Sequence, residues 1–326
     1  MNLKNISRRQ VIGAAAGLCL TGPVLAQPYP SKPVRLIVSF AAGGGVDMMA
    51  RVLADRLTRQ MGQSFVVENR PGASGIIGAD AVAKSPADGY TILVGGNPEL
   101  TFVQAVNPKL PYNPLKDLAP LVLAARVPAV LVVPASSSIR TAAEYFERSR
   151  STRGIVYGTP GRGTPMHLAF DLMNYKHGTN LIHVPYKGGG PATADVVAGQ
   201  IESAVINAPP VVPHIRSGKL RALVVLQNER SAQLPDVPTL KEATGVDDLE
   251  APSWFSLALP SGVPANIHKR LETEVLKVLN DVEVKASLSK AGLDVVALNS
   301  AQMGKVMIDE AAYNAAAVKR LNFKLD

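Results

Sequence analysis

The sequence predicts an α/β protein of two lobes, each built on a parallel sheet. Short apolar runs rich in β-branched residues alternate with segments whose apolar residues recur every three to four positions, as along an amphipathic helix. Several of these runs end in glycine-rich loops, which is typical of open sheets whose strand ends face a ligand crevice. Two such series, joined by two crossings, favour a hinge between two lobes.

The first strand, turn and helix occupy residues 34–61. Residues 34–40 are almost continuously apolar, the pattern of a strand buried on both faces, and helical spacing of apolar residues begins at Val46. Amides at the start of a helix lack intrahelical partners, and Gly43, Gly44 and Gly45 would let a ligand approach them, so an anion is the natural occupant. A tight turn alone would also explain the three glycines, and that alternative stays open.

The glycine-rich loops at residues 43–45 and 158–164 do not match known nucleotide-binding loops. The dinucleotide fingerprint would require glycine where Met48 stands, and the segment 158–164 lacks the lysine of a Walker loop. A nucleotide site is therefore not expected.

The remaining elements follow from the same patterns. In the first lobe, strands are expected at 63–68 and 90–94 and a helix at 76–84, and the run 130–133 marks the crossing into the second lobe. The second lobe is expected to contain helices at 142–149, 166–176 and 191–198, a short helix after residue 207, and strands at 155–157, 182–186, 201–206 and 220–226. Residues 254–259 form the expected return strand, and the remaining chain, with segments 266–280 and 301–321, is expected to be helical. The predicted lobes are 27–128 with 253–326, and 129–252.

The N-terminus predicts export. Residues 1–26 combine Arg8 and Arg9 after Ser7 with an uncharged apolar run that closes on Ala26, the pattern of a twin-arginine signal peptide. The run is short and rich in glycine and alanine, which disfavours a membrane anchor. The single cysteine lies within this segment, so the exported chain would fold without disulfides.

The amino-acid composition and charge limit the classes of partner that the protein is expected to bind. The formal net charge is +8, but the sequence has no basic run and only 5% aromatic residues, so nucleic-acid binding has little support. A mildly positive surface favours encounter with small anions.

Eight short segments, taken in order, resemble the Bug family, the extracytoplasmic solute receptors of tripartite tricarboxylate transporters. They are YPSKPV (29–34), FAAGGGVD (40–47), VENRPG (67–72), PADGY (86–90), LPYNP (110–114), HVPYKG (183–188), GKLRA (218–222) and LPDVPT (234–239). No single segment is specific, but the ordered set spans nearly the whole chain after the signal peptide.

The resemblance implies a type II periplasmic-binding fold with a hinged cleft that closes on a small carboxylate-bearing solute. It also implies a monomeric periplasmic receptor that serves the membrane components of such a transporter, without catalytic residues, metal or cofactor. The ligand-binding positions that it implies are Phe40, Gly43, Gly44, Gly45, Val46, Asp47, Gly96, Asn97, Thr159, Gly161, Arg162, Gly163, Thr164, His167, Ile206 and Asn207.

Two departures from the family pattern bear on the ligand. Val46 stands where the family commonly has threonine, and Ile206 stands where many members have the aspartate that would pair with a ligand ammonium. These departures disfavour an amino acid and favour an aromatic or short aliphatic mono- or dicarboxylate. Arg162 is either a clamp for a second carboxylate or a solvated loop residue, and both remain open.

Single residues and rival functions leave further alternatives. His167 is expected to orient its glycine loop as a neutral imidazole, since the five histidines show no metal-ligand spacing. Trp254 and Phe255 are expected in the core, and Lys187 is either an exposed lysine or part of the cleft closure.

A co-receptor for a sensor kinase would share the same fold. A periplasmic enzyme lacks support, because no Gly-x-Ser-x-Gly motif or His/Cys constellation appears.

Overall fold

The computed structural model describes residues 29–107, 109–247 and 249–321. The predicted signal peptide and its cleavage site lie outside the described residues. Within them, no helix combines the length and the apolar character that crossing a membrane would require.

The described elements belong to one compact unit, Lys32–Asp326. The strands are β1 (Val34–Val38), β2 (Phe65–Asn69), β3 (Thr91–Gly96), β4 (Leu118–Val127), β5 (Ala129–Pro134), β6 (Ile155–Thr159), β7 (Leu181–Pro185), β8 (Ser203–Asn207), β9 (Leu220–Val225), β10 (Ser253–Pro260) and β11 (Asp294–Leu298). The helices are α1 (Gly45–Met61), α2 (Ile76–Ala83), α3 (Val103–Val106), α4 (Pro114–Asp117), α5 (Ala142–Ser149), α6 (Pro165–His177), α7 (Gly189–Val197), α8 (Ala208–Arg216), α9 (Leu240–Thr244), α10 (Ala265–Asn280), α11 (Val282–Lys290) and α12 (Ser300–Leu321). A 3₁₀ turn (Ala73–Gly75) precedes α2, and a π-helical turn (Pro98–Phe102) precedes α3.

The strands form two mixed sheets, which corrects the expectation of parallel ones. The first has the order β11-β4-β10-β3-β1-β2 and the second the order β7-β6-β8-β5-β9. β1 runs parallel to β2 and β3, and β6 runs parallel to β7 and β8, whereas β10 and β5 are antiparallel to both of their neighbours. Two strands of a sheet pair in parallel when a crossover returns the chain to the same end of that sheet. The chain enters β5 and β10 from the other sheet instead, so no such crossover sets their direction.

Several elements differ from the sequence-based expectation, among them the short helices α3 and α4, which were not expected. β4 was not expected; its run LAPLVLAARV is rich in alanine and interrupted by proline, so its strand character is weak locally. The expectation that all of the chain after the return strand is helical is wrong, because β11 pairs with β4 at the edge of the first sheet. The short helix α9 was also missed, although Thr239 and Glu242 form its capping box.

The second sheet is covered on both faces. One apolar cluster contains Tyr145, Tyr157 and Phe170, and the other contains Val196 and Val211. Burial on both faces accounts for the continuous apolar runs in the sequence.

The sheets exchange the chain at two places. Only Pro128 separates β4 of the first sheet from β5 of the second, and residues 226–252 lead from β9 back to β10. The division into lobes at 128/129 and 252/253 remains a prediction that agrees with this distribution of strands.

Candidate functional site

The helices α1 and α7 both have glycine as their first residue and lack a side-chain cap, and their starts lie together. The N-cap residues are Gly44 for α1 and Gly188 for α7, and neither makes a capping hydrogen bond. A Cβ atom placed on Gly44 would lie 3.6 Å from the amide nitrogen of Gly189. The first amides of a helix have no intrahelical acceptor and carry partial positive charge, so two sets of such amides face the same space.

A cavity of about 30 Å³ lies at this meeting point. Its wall contains loops from both sheets and is formed by Phe40, Gly44, Gly45, Val46, Gly96, Asn97, Pro98, Pro160, Thr164, Met166, Gly189, Ile206, Asn207, Pro210, Ser253 and Phe255. We call it the interstrand cavity, because it lies among the strand ends of the two sheets. This volume is roughly that of one water molecule, whereas ligand pockets usually measure about 300 to 1,000 Å³.

The loops around the interstrand cavity touch each other across the two sheets. The backbone amide of Ala41 donates a hydrogen bond to the carbonyl of Lys187 at 2.9 Å. The hydroxyl of Ser74 donates to the carbonyl of Arg162. These contacts, together with the small volume, describe a closed arrangement.

The predicted site residues divide into two groups. Those in the wall of the interstrand cavity are Phe40, Gly44, Gly45, Val46, Gly96, Asn97, Thr164, Ile206 and Asn207. Those that lie outside the wall are Gly43, Asp47, Thr159, Gly161, Arg162, Gly163 and His167, and most of these hold the loops in place.

Asp47 anchors the first glycine loop. Its carboxylate accepts the amide of Gly43 at 3.0 Å, a bidentate pair of bonds from Arg51 at 2.9 Å each, and a bond from Asn69 at 2.9 Å. Burial, the largest influence, raises its pKa, but the bonds from Arg51, Gly43 and Asn69 outweigh burial and hold the pKa of Asp47 below its usual value. The residue therefore serves as a structural anion at the start of α1.

His167 anchors the second glycine loop, in agreement with its predicted role. Its Nδ1 accepts the amide of Gly163 at 3.0 Å, and its Nε2 lies 3.2 Å from Asp171. The ring also stacks on His183 with 4.0 Å between centroids. Burial, assisted by the charge of Arg162, lowers the pKa of His167 to about 4, so the imidazole is neutral near pH 7 and its Nε2 carries the proton.

Several glycine amides that could have met an anion are already paired within the chain. The amide of Gly96 donates to Glu99 Oε1 at 2.8 Å, and the amide of Gly161 donates to the Thr159 hydroxyl at 3.2 Å. With Gly43 and Gly163, these amides are used to shape the loops. Glycine loops in general were expected to supply hydrogen-bond donors to a ligand. Because these amides are already paired, the candidate donors are the amides at the starts of α1 and α7.

Sequence reasoning missed part of the wall, most clearly Phe255 and Gly189. Phe255 was expected in the core, and its ring packs so closely on α1 that a Cβ on Gly45 would lie 2.9 Å from it. Gly189 follows a strand within a glycine run, the signal that singled out Gly44, so the same reasoning could have found it. Pro98, Pro160, Met166, Pro210 and Ser253 carry no such signal.

Two further observations concern polar groups. Arg162 is exposed and absent from the cavity wall, so the geometry gives its proposed clamp role no support. In contrast, the side-chain nitrogen of Asn207 is buried in the wall and has no hydrogen-bond partner among the described residues. No group of three or more His, Cys, Asp or Glu residues in the described ranges could hold a metal ion.

Comparison with known proteins identifies the family. The family described as "Tripartite tricarboxylate transporter family receptor" matches residues 49–323. Protein BugT of Bordetella pertussis is 35% identical over 314 residues, which is 96% of this chain and 95% of BugT. A solved R. palustris protein with adipate has a TM-score of 0.85 at 34% identity and covers 89% of this chain and 97% of its own. MatC from Rhodopseudomonas palustris with bound malate has a TM-score of 0.83 at 28% identity and covers 89% of this chain and 100% of its own. The resemblance to the Bug proteins is confirmed, and the chain belongs to the tripartite tricarboxylate transporter receptor family of periplasmic solute-binding proteins.

Proposed function

We propose that the protein captures a small carboxylate in the interstrand cavity and delivers it to the membrane components of a tripartite tricarboxylate-type transporter. The observation that carries this proposal is the meeting of the uncapped starts of α1 and α7 at one cavity. A carboxylate accepts several amide donors at once, and each charge-assisted hydrogen bond contributes about 1.5 to 3 kcal/mol. Each helix end adds roughly 0.3 to 1 kcal/mol.

Asn207 strengthens the preference for an anion. Its buried side-chain nitrogen is a donor without a partner, and a ligand oxygen would satisfy it. This donor is independent of the starts of α1 and α7, because Asn207 ends β8 and precedes α8.

The rest of the wall favours an uncharged ligand body. Phe40, Val46, Ile206 and Phe255 are apolar, and no aspartate or glutamate is among the described residues of the wall. A ligand ammonium buried there would lack a counter-charge, a loss of several kcal/mol. Adipate and malate, the ligands of the two solved relatives, are aliphatic dicarboxylates and agree with this class. Short aliphatic or aromatic mono- and dicarboxylates are therefore the first ligands to test.

Export by the twin-arginine route and action as a monomer complete the proposal. Intact mass of the periplasmic protein should begin at Gln27. Recovery of the full-length chain only from the cytoplasm would contradict the proposed export.

A second function, ligand presentation to a sensor kinase, would use the same fold and the same cavity. Carboxylate uptake in a deletion strain separates the two functions, because a transport receptor is required for uptake and a co-receptor only for the transcriptional response. An enzyme would convert the ligand, which incubation followed by product analysis would reveal.

Gly44→Ala tests the site directly. The backbone angles of Gly44 suit alanine, and the added methyl group would meet no atom closer than 3.5 Å, so the variant should fold normally. The methyl group would nevertheless stand in front of the Gly189 amide. We expect calorimetry to show about 10- to 100-fold weaker carboxylate binding, the effect of roughly 1 to 3 kcal/mol of overpacking.

Gly304→Ala is the matched control. It lies in α12, and its added methyl group would also meet its nearest neighbour at 3.5 Å, but away from the interstrand cavity. Unchanged binding by Gly44→Ala would contradict the site. Tight binding of aspartate or glutamate without any response to simple carboxylates would contradict the ligand class.

A further inference from the structure

A second and larger cavity lies between α12 and α6. Its volume is about 480 Å³, within the range of small-molecule sites. We call it the α6–α12 cavity. Asn97 is the residue that it shares with the interstrand cavity. Because α12 follows the first sheet and α6 follows β6 of the second, a molecule in this cavity would contact parts of the chain that belong to both sheets.

Glu310 supplies an anionic group at one end of the α6–α12 cavity. One carboxylate oxygen accepts the side-chain amide of Asn97 at 3.0 Å and the hydroxyl of Thr101 at 3.1 Å, and the other accepts the indole N–H of Trp254 at 2.6 Å. These donors are all neutral. In the part of the chain that the structure describes, none of the ion pairs includes Glu310. Neutral donors therefore fix the orientation of the Glu310 carboxylate, and no ion pair among the described residues neutralises its charge.

Asn97 is an independent sign of a missing ligand. It is only 1% exposed, its side-chain nitrogen donates to Glu310 at 3.0 Å, and its side-chain oxygen has no hydrogen-bond partner among the described residues. A buried amide oxygen without a donor is rare in proteins and needs an explanation. An N–H group of a bound molecule would satisfy it.

The charges around the cavity favour a cation. The carboxylate and ammonium side chains in its wall are those of Glu250, Glu310 and Lys176, so the carboxylates outnumber the ammonium group. Lys176 is itself engaged in an interaction. The remaining wall is largely hydrocarbon.

The apolar wall sets the nature of the ligand body. Phe102 and Leu249 are buried, and Leu168 and Leu172 present one side of α6 to the same space. An aliphatic chain fits such a surface, and its ammonium group would then reach the end of the cavity that holds Glu310. We propose that the α6–α12 cavity binds a primary ammonium compound with an aliphatic body, with its nitrogen on Glu310 and its chain against Leu168, Leu172 and Leu249.

The experiment uses n-hexylamine, which is an ammonium ion at pH 7, with 1-hexanol as its uncharged counterpart of similar length. Calorimetry on the full exported chain should show one site for hexylammonium and at least 10-fold weaker binding of hexanol. Glu310→Gln keeps an oxygen for the Trp254 indole and removes the charge. It should weaken hexylammonium binding at least 10-fold and leave hexanol unchanged. Equal binding of the two compounds would overturn the proposal.

Asp309→Asn is the matched control for the charge. Asp309 neighbours Glu310 in sequence, but it is exposed and pairs with Lys305 at 2.6 Å outside the cavity. This variant should bind hexylammonium as the unmodified protein does. An equal loss in Asp309→Asn and Glu310→Gln would show that only the general surface charge matters, and would overturn the assigned site.

A third variant separates this proposal from the carboxylate site. Gly44→Ala blocks the interstrand cavity and should leave hexylammonium binding unchanged, whether or not the interstrand cavity binds carboxylates. If Glu310→Gln fails to fold by circular dichroism, Leu172→Asn tests the apolar wall instead, and unaltered hexylammonium affinity in that variant would overturn the proposal.

Discussion

Glu99 places a carboxyl group in the interior beside the interstrand cavity. One oxygen accepts the Ser39 hydroxyl at 2.6 Å and the Gly96 amide at 2.8 Å, while the other has no partner among the described residues. The side chain also explains Gly95, because a Cβ there would lie 1.9 Å from Glu99 Oε1. Burial, the dominant influence, raises the pKa of Glu99 to about 7.

The raised pKa predicts a loss of stability with rising pH. The native state binds the proton of Glu99 more tightly than the unfolded chain does, so this contribution is full below pH 4.5 and is lost as the pH rises through about 7. Glu99→Gln cannot ionise. Relative to the unmodified protein, this variant should gain about 2 kcal/mol in free energy of unfolding between pH 5 and pH 8, measured by urea denaturation.

Glu147→Gln serves as the control for Glu99→Gln. Glu147 is exposed on α5, so its substitution should change the free energy of unfolding by less than about 0.5 kcal/mol. Parallel pH profiles for Glu99→Gln and the unmodified protein would show that Glu99 does not titrate in this range.

Substitution of His167 is expected to act on the loop that carries Pro160 and Thr164. His167→Phe keeps the ring but removes the acceptor for the buried Gly163 amide, which should cost about 1 to 3 kcal/mol of stability and weaken carboxylate binding. His167→Asn places an oxygen near the former Nδ1 position and should recover part of both losses. Equal losses in the two variants, measured by urea denaturation and calorimetry, would show that the ring matters only for packing.

At the scale of elements, α1 shows how one helix connects the cavity to the body of the protein. Its start contributes Gly44, Gly45 and Val46 to the cavity wall, and Asp47 in its first turn ties back to the glycine loop. The end of the helix is closed by Gly62 in the left-handed conformation, with φ of 70°.

Asp47→Asn should destabilise the protein by about 1 to 3 kcal/mol in urea denaturation at pH 7. Asp47 is 3% exposed, so its loss of charge weakens a buried, bidentate contact, although the exposure of Arg51 moderates the effect. Since the pKa of Asp47 is held below its usual value, the contribution is present above pH 3.8 and is lost as the pH falls through the lower native pKa.

Asp55→Asn is the control within the same helix. Asp55 pairs with Arg59 at the same spacing of four residues, but both side chains are largely exposed. Its substitution should change the free energy of unfolding by less than about 0.5 kcal/mol. Similar effects of the two substitutions would contradict the anchoring role of Asp47.

The elements also show what local sequence can predict. α5 was predicted at its observed bounds and α1 within one residue of its start, because apolar periodicity and glycine breaks are local signals. The direction of β5 and β10 depends on which sheet the chain comes from, and β11 depends on its partner β4, so neither follows from local pattern. In the site, the glycine loops were predicted, but the amides of Gly96 and Gly163 are already paired with Glu99 and His167. This pairing depends on side-chain orientation in the folded loops, which the sequence pattern does not specify.

At the scale of the whole molecule, the small interstrand cavity and the Ala41 to Lys187 hydrogen bond imply that a ligand enters only after the two sheets separate. The chain passes between the sheets at Pro128 and again within residues 226–252, and a hinge is expected at these crossings. Opening would break the Ala41 contact and expose the starts of α1 and α7 to solvent. A bound carboxylate would supply acceptors to both helix starts and favour closure.

We therefore expect the protein without ligand to populate an open form and a carboxylate to shift it to the closed one. A ligand at 100 times its dissociation constant should stabilise the protein by about 2.7 kcal/mol against unfolding. Small-angle scattering should show a smaller radius of gyration with ligand than without it. Gly44→Ala should need about 10- to 100-fold more ligand for the same change, since its methyl group weakens carboxylate binding at the starts of α1 and α7. An unchanged radius of gyration in the unmodified protein, with binding confirmed by calorimetry, would contradict the hinge, because the ligand would then have entered without separating the sheets.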